Sequence, residues 1–285
     1  MPMFTNLSAF PTVEVHGHRG CRGLYPENTL PAFLHAIRLG VDVIELDVVL
    51  SADGQVVVSH EPWMNSAICF DTQGQRIPAD EEQKHNLYHL PYATIQRYDC
   101  GQLQHPNFPD QRTLPIYKPL LREVITAADA LVQELGRSPI RFSIEIKSSP
   151  TGDLFHHPAP TVFVQVVLAE LQALDVVSRT TLLSFDKRIL QEARRQLPRL
   201  ALCLLVEDEM PAEQHIQDLG FIPEVYGPYH ELVSMKLLAL ATRHSMQVVP
   251  WTVNEPAIMG RLLELGVSGL TTDYPNRLLA ILQRL

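Results

Sequence analysis

The 285 residues exceed an average domain of roughly 150, yet an α/β barrel fills about 250 residues as a single domain. Hydrophobic residues make up 46% and charged residues 19%, which excludes a disordered or fibrous chain. With 32 acidic against 23 basic residues the net charge is −9, a balance that argues against nucleic acid or an anionic membrane surface as partner.

No run approaches the roughly 18 consecutive apolar residues of a membrane span, so stable membrane insertion is not expected. No lysine or arginine precedes Arg19, and no signal peptide is read at the start of the chain. The four cysteines, at 21, 69, 100 and 203, are too dispersed for a zinc ribbon or a dense disulfide framework. Free thiols and a cytoplasmic location are the expectation, with a Cys69 to Cys100 link left open. A removed signal peptide would imply a periplasmic or secreted location instead.

Taken in chain order, β-branched runs at 12–18, 41–50, 140–147, 180–184, 201–206, 222–227, 247–252 and 268–272 alternate with helical patterns. This alternation predicts a (β/α)8 TIM barrel, ahead of an open doubly wound sheet, as one domain over 1–285. After the first run, Asn28 or Thr29 caps a helix with Pro31 in its first turn, and Gly40 ends it. The segment 61–118 breaks the rhythm with Pro62, Pro78, Pro91, Pro106, Pro109 and Pro115. A structureless loop of that length is improbable, so a small insertion lobe with short elements of its own is expected after the second strand region. It either packs on the barrel as decoration or forms a lid or substrate-selecting wall.

The chemistry-bearing residues fall at predicted strand ends, where a barrel places its active site. In Gly17-His18-Arg19-Gly20, His18 can move a proton near neutral pH, and Arg19 can hold a phosphate or carboxylate through paired hydrogen bonds. Glu45 and Asp47 are two apart in a strand and share a face. Pointing inward, they must be protonated, matched by cations or bound to metal; the other reading turns both outward to arginines on the helices. Glu145 and Lys147 repeat the pattern one strand further on. Glu45, Asp47 and Glu145 together offer oxygen ligands to one hard divalent cation, Mg²⁺ or Ca²⁺. Lys147 either neutralises a carboxylate or contacts an anionic substrate. A tight turn at Asp53-Gly54 returns Val56-Val57-Val58 and brings His60 back beside the carboxylates. Trp251 either fills the barrel mouth or lines a substrate pocket. The other ten histidines are read as solvated or core residues.

His18-Arg19-Gly20, Pro26-Glu27-Asn28-Thr29, Glu45-x-Asp47, Asp53-Gly54, His60, Glu145-x-Lys147, Trp251-Thr252-x-Asn254 and Thr272-Asp273, in this order over 16–276, resemble the glycerophosphodiester phosphodiesterase family. The resemblance implies a barrel that hydrolyses glycerophosphodiesters, as small-molecule substrates, to glycerol 3-phosphate and an alcohol with the help of a divalent metal. It further implies His18 and His60 as the acid-base pair, Arg19 and Lys147 as phosphate holders, and Glu45, Asp47 and Glu145 as metal ligands. It favours attack through a cyclic phosphate over direct attack by water. The sequence departs from the family at Glu61, where aspartate usually follows the second histidine. Glu27 and Asn28 are also readable as a helix cap, and Asp273 as a strand-end anchor. The rival functions are a sphingomyelinase or phospholipase D-like barrel acting on lipid headgroups and a barrel that binds a phosphorylated ligand without turnover.

Overall fold

The computed structural model describes residues 13–284, so Thr12 of the first expected strand lies outside the described residues. From Glu14–Gly17 (β1) the chain passes through helix Leu30–Leu39 (α1) to the longest strand, Val43–Leu50 (β2), and turns back as Val56–Val58 (β3). The short helix Tyr92–Ile95 (α2) and the helix Leu121–Glu134 (α3) come next. Strands and helices then alternate: Arg141–Ile146 (β4), Pro160–Ala173 (α4), Thr180–Ser184 (β5), Lys187–Gln196 (α5), Ala201–Val206 (β6) and Ala212–Leu219 (α6). Val225–Pro228 (β7), Met235–His244 (α7), Gln247–Val248 (β8), Pro256–Leu265 (α8), Gly269–Thr272 (β9) and Pro275–Leu282 (α9) complete the chain.

All strands but β3 pair in parallel, in the order β8-β7-β6-β5-β4-β2-β1-β9. The Ser268 N–H donates to Val248 O (2.9 Å) and the Thr271 N–H to Pro250 O (3.0 Å). These bonds link β8 to β9, and the eight parallel strands form the expected (β/α)8 barrel. Several strands are shorter than the sequence suggests, and at two of them a proline stands at the boundary. Proline has no N–H to give a ladder, and accordingly β7 begins only after Pro223 while β8 stops before Pro250.

Strand parity sorts the side chains. Ile44, Leu46 and Val48 of β2, Phe142, Ile144 and Ile146 of β4, and Leu202 and Leu204 of β6 face outward into the main apolar cluster under the helices. Full burial of such a side chain contributes ~1.5–3 kcal/mol. The alternate positions face the barrel interior, where Leu183, Cys203, Leu205, Val225 and Val249 form a smaller cluster with Phe185 and Trp251 packed against it. At the start of α1, Thr29 occupies the cap position without a side-chain cap bond, and its hydroxyl donates to Pro26 O instead. Asn28 is not a cap. Gly40 ends the helix at φ 110°, a conformation that glycine adopts without strain.

Residues 61–118 contain two single 3₁₀ turns and α2. Met64, Ile68, Cys69, Ile77, Leu87, Tyr92, Ile95, Tyr98 and Cys100 form a separate apolar cluster on a base of Val49, Val57 and Leu120. Cys69 and Cys100 are joined by a disulfide, which corrects the expectation of four free thiols; Cys21 and Cys203 are free and buried. The lobe leans on two catalytic-face loops. Gln111 Nε2 donates to Arg22 O (2.7 Å) and Tyr25 O (3.0 Å), and Asn86 Nδ2 donates to Phe155 O (2.7 Å). Among the described residues no helix is long and apolar enough to cross a membrane.

Candidate active site

The first βα turn is held open by backbone conformation. Arg19 (φ 47°) and Gly20 (φ 88°) are both left-handed, and a Cβ on Gly20 would stand 2.7 Å from the Ala32 carbonyl carbon, so only glycine fits there. This turn aims the Arg19 N–H at Glu45 Oε2 (2.8 Å) and sets the His18 ring over the barrel mouth. His18 Nδ1 lies 2.6 Å from Asp273 Oδ1, and Nε2 lies 3.9 Å from Glu45 Oε2. Burial, with Arg22 and Arg19 adding to it and Asp273 opposing, brings His18 down to about 4. The ring is therefore neutral at pH 7, with its proton on Nδ1 toward Asp273 and a lone pair on Nε2.

Asp273 is the hub behind that ring. Beside His18 it accepts from Arg22 Nε (2.9 Å) and from Asn254 Nδ2 (2.7 Å), and its own N–H donates to Asn254 Oδ1 (3.0 Å). Burial alone would raise its carboxyl, but His18 and Arg22 hold it below the usual range. Asp273 thus does more than anchor a strand end.

Glu45, Asp47 and Glu145 point inward as their parity requires, and one oxygen from each lies within 4.8 Å of the others. Their relative exposures of 4%, 1% and 7% leave little water to solvate three charges. Burial and then Asp47 push Glu45 well above the usual carboxyl range. Glu145 is also raised, by burial and by Asp47, although Lys147 pulls the other way. Lys147 Nζ sits 2.8 Å from Glu145 Oε1 and 3.8 Å from Asp47 Oδ1. Asn28 Nδ2 donates to Asp47 Oδ2 (2.8 Å), which gives Asn28 a part in orienting the cluster. Three mutually repelling, all-oxygen carboxylates are the donor set a hard divalent cation relieves, so the residues fit such an ion.

His60 returns to the site through the β2–β3 hairpin, its Nδ1 2.8 Å from Glu61 Oε1. The longer glutamate therefore still reaches the neighbouring ring. The Arg19 guanidinium is engaged by Glu27 Oε1 at 2.8 Å and lies 3.4 Å from Asp47 Oδ2, making Glu27 a charge partner and not a helix cap. A cavity of about 620 Å³ receives His18, Arg19, Glu45, His60, Glu145 and Lys147 on one side. Leu183, Phe185, Leu205, Val249 and Trp251 line the other. Trp251 Nε1 donates to Gly227 O (2.8 Å), its ring packs edge-on to Phe185 at 5.3 Å, and the residue lines the cavity. The sequence reading passed over Arg22, Phe185, Leu205 and Lys118. For Lys118 there was a signal, since it is one of only five lysines; for the others there was none.

Fold and site together define a barrel hydrolase type, with two carboxylate-held imidazoles over a buried acidic cluster of a composition that could hold a cation. The model of the glycerophosphoryl diester phosphodiesterase family matches residues 18–277, and the chain belongs to that family. It is 27% identical to a glycerophosphodiester phosphodiesterase of Bacillus altitudinis over 94% of this chain and 97% of that one. The structure of a putative glycerophosphoryl diester phosphodiesterase from Silicibacter pomeroyi superposes with a TM-score of 0.86 at 33% identity, covering 95% of this chain and 93% of the other. A phosphodiesterase from Oleispira antarctica, solved in complex with the product sn-glycerol-3-phosphate, shares the fold with a TM-score of 0.73 at 19% identity over 95% and 96% of the two chains.

Proposed function

We propose that the protein hydrolyses glycerophosphodiesters to glycerol 3-phosphate and an alcohol, using His18 and His60 as its acid-base pair. The observation that carries this reading is that two imidazoles enter one cavity, each with Nδ1 against a carboxylate, Asp273 at 2.6 Å and Glu61 at 2.8 Å. A carboxylate on Nδ1 fixes the tautomer and turns Nε2 toward the reactants, the arrangement general acid-base catalysis needs. The same geometry disfavours a barrel that only binds its ligand, since binding alone requires no oriented proton carriers.

Glu45, Asp47 and Glu145 would hold one divalent cation, Mg²⁺ or Ca²⁺, which supplies charge neutralisation at a phosphodiester when bound. Lys147, on the cavity wall and 2.8 Å from Glu145 Oε1, binds a non-bridging phosphate oxygen. Arg19, on the same side of the cavity, also reaches the phosphate, with Glu27 fixing the plane of its guanidinium. His18, neutral at pH 7, takes the proton from the attacking hydroxyl at Nε2. His60 delivers a proton to the departing alcohol oxygen, so the protons balance once water completes hydrolysis. The family resemblance supports the glycerol hydroxyl of the substrate as the first attacking group, through a cyclic phosphate.

The test is to strip the protein with chelator and incubate it with glycerophosphodiesters of differing headgroup while Mg²⁺, Ca²⁺ or Mn²⁺ is restored, following glycerol 3-phosphate release. Metal-dependent release is expected. Intact diesters under every metal, with ligand retained on the protein, would overturn the catalytic reading. A trapped cyclic phosphate would establish the order of attack, and its absence in quenched reactions would favour water.

A further inference from the structure

The apolar wall of the cavity ends in a rim layer whose members are set by strand register. Leu205 of β6 pairs with Gly227 of β7, and Val206 with Pro228. Beyond them the Tyr229 N–H donates to Val206 O (2.7 Å) and the Trp251 N–H to Pro228 O (3.1 Å), and Tyr229 and Trp251 form a parallel bridge. Residues two apart on a strand share a face, so Glu207, Tyr229 and Trp251 follow one another along the rim, one step above Leu205, Gly227 and Val249. Phe185 joins them from the end of β5. Its ring lies 5.3 Å from that of Trp251 with the two planes at 89°, and the Tyr229 ring flanks Trp251 at 5.9 Å. Phe185, Glu207 and Trp251 all line the cavity.

The chemistry of this corner is specific. The Trp251 N–H is taken by Gly227 O, so the indole offers its ring and not a donor. Asp208 and Glu224 on the same side of the barrel have partners in His215 (2.9 Å) and Arg194 (2.7 Å), whereas the exposed Glu207 has none among the described residues. Two ring surfaces at a right angle beside an uncommitted carboxylate suit a quaternary ammonium, which has no N–H to donate and is held by π faces and negative charge. A polyhydroxylated headgroup would meet rings and leucine where it needs hydrogen bonds. The corner also adjoins the phosphate position: Lys147 Nζ stands 5.9 Å from the Phe185 centroid, its charge met by Glu145 at 2.8 Å. An ester arm leaving a phosphate held at Lys147 therefore runs directly onto Phe185 and Trp251.

We propose that Phe185, Trp251 and Glu207 form the subsite for the alcohol half of the diester, and that the alcohol it selects is a quaternary ammonium alcohol of the choline type. This names the headgroup for the hydrolysis proposed above and rests on that reading.

The experiment compares kcat/KM of the metal-loaded enzyme for glycerophosphocholine and for its neutral isostere, the dimethylbutyl ester with carbon in place of the ammonium nitrogen. A preference of about tenfold for the choline diester is expected, the size of a desolvated cation–π contact, and discrimination of this kind is read in kcat/KM. Glu207→Gln removes the charge and Phe185→Leu the ring, and each should reduce the ratio about threefold. A wild-type ratio near one, or variants that lower both diesters by the same factor, would overturn the subsite and leave the hydrolytic reading standing. If thermal melting shows that Phe185→Leu does not fold, Glu207→Gln decides alone, because its position is exposed. If neither diester is cleaved, the hydrolytic reading falls, and calorimetric titration of the same two diesters takes over. Choline-selective binding that Glu207→Gln weakens keeps the subsite, and any other result removes it.

Discussion

The two halves of the barrel mouth are built on opposite rules. β1, β2 and β4 supply His18, Glu45, Asp47, Glu145 and the neighbouring Lys147, whereas β5, β6 and β8 and the residues that follow them supply Leu183, Phe185, Leu205, Val249 and Trp251. Every charged group in the first half is tied to a partner, because an unpaired buried charge would neutralise itself. The apolar residues named in the second half have little to satisfy: the Trp251 N–H has Gly227 O, and Leu183, Phe185, Leu205 and Val249 contribute packing alone. One barrel thus separates charge from shape, and substitutions in the two halves should be felt in different kinetic constants.

Asp47→Asn should have the largest effect. Losing a ligand of a cation that stabilises transition-state charge by several kcal/mol corresponds to more than about 10²-fold in kcat, and calorimetric titration should show weakened Mg²⁺ or Ca²⁺ binding. An Asp47→Asn enzyme with normal metal affinity would erase the contrast at its strongest point. Next come His18→Ala and His60→Ala, each expected to lose ~10²–10⁴-fold in kcat at saturating substrate. On the apolar half, Leu205→Ala should leave kcat near wild type and raise KM about tenfold for the preferred diester, the signature of lost uniform binding. A kcat defect there would mean that the shape wall also serves the chemistry.

The smallest effect is on stability. Burial lowers His18 from 6.5 to about 4, so between these values the unfolded chain binds a proton that the folded chain refuses. His18's contribution is present above pH 6.5 and is lost as pH falls toward 4. Urea midpoints should decline over that window in the wild type, and less steeply in His18→Asn; equal slopes would show that His18 is not the group responsible.

Much of the polar half was legible because strand parity is local. Glu45 with Asp47, and Glu145 with Lys147, needed only a period of two and a barrel to converge. The hairpin at Asp53-Gly54 was equally local and brought His60 home. What escaped sequence reasoning joins distant loops: Asp273 meets His18 across 255 positions, and Asn28 meets Asp47 across 19. Such pairs depend on how the loops fold after the barrel closes, and no periodicity records them. Glu27 looked like part of a helix start because acidic residues favour that place, yet Arg19 claims it. The Cys69 to Cys100 link stayed open in the sequence for the same reason, since the two approach only once the lobe has its own interior. The apolar half was legible as strands but not as a wall, because Phe185 and Leu205 look like ordinary strand residues until β5 and β6 curve around a cavity.

The lobe leaves and rejoins the barrel through adjacent points, with Val57 bridged to Leu120 and the Val58 N–H bonded to Pro119 O. A segment whose two ends meet side by side behaves as a cassette. It can be lengthened, shortened or exchanged between homologous barrels without altering the register of any parallel strand, provided the two-stranded stem is kept. Evolution and the protein engineer are thereby given the same handle, a part that can vary above the mouth while the catalytic framework beneath it stays fixed.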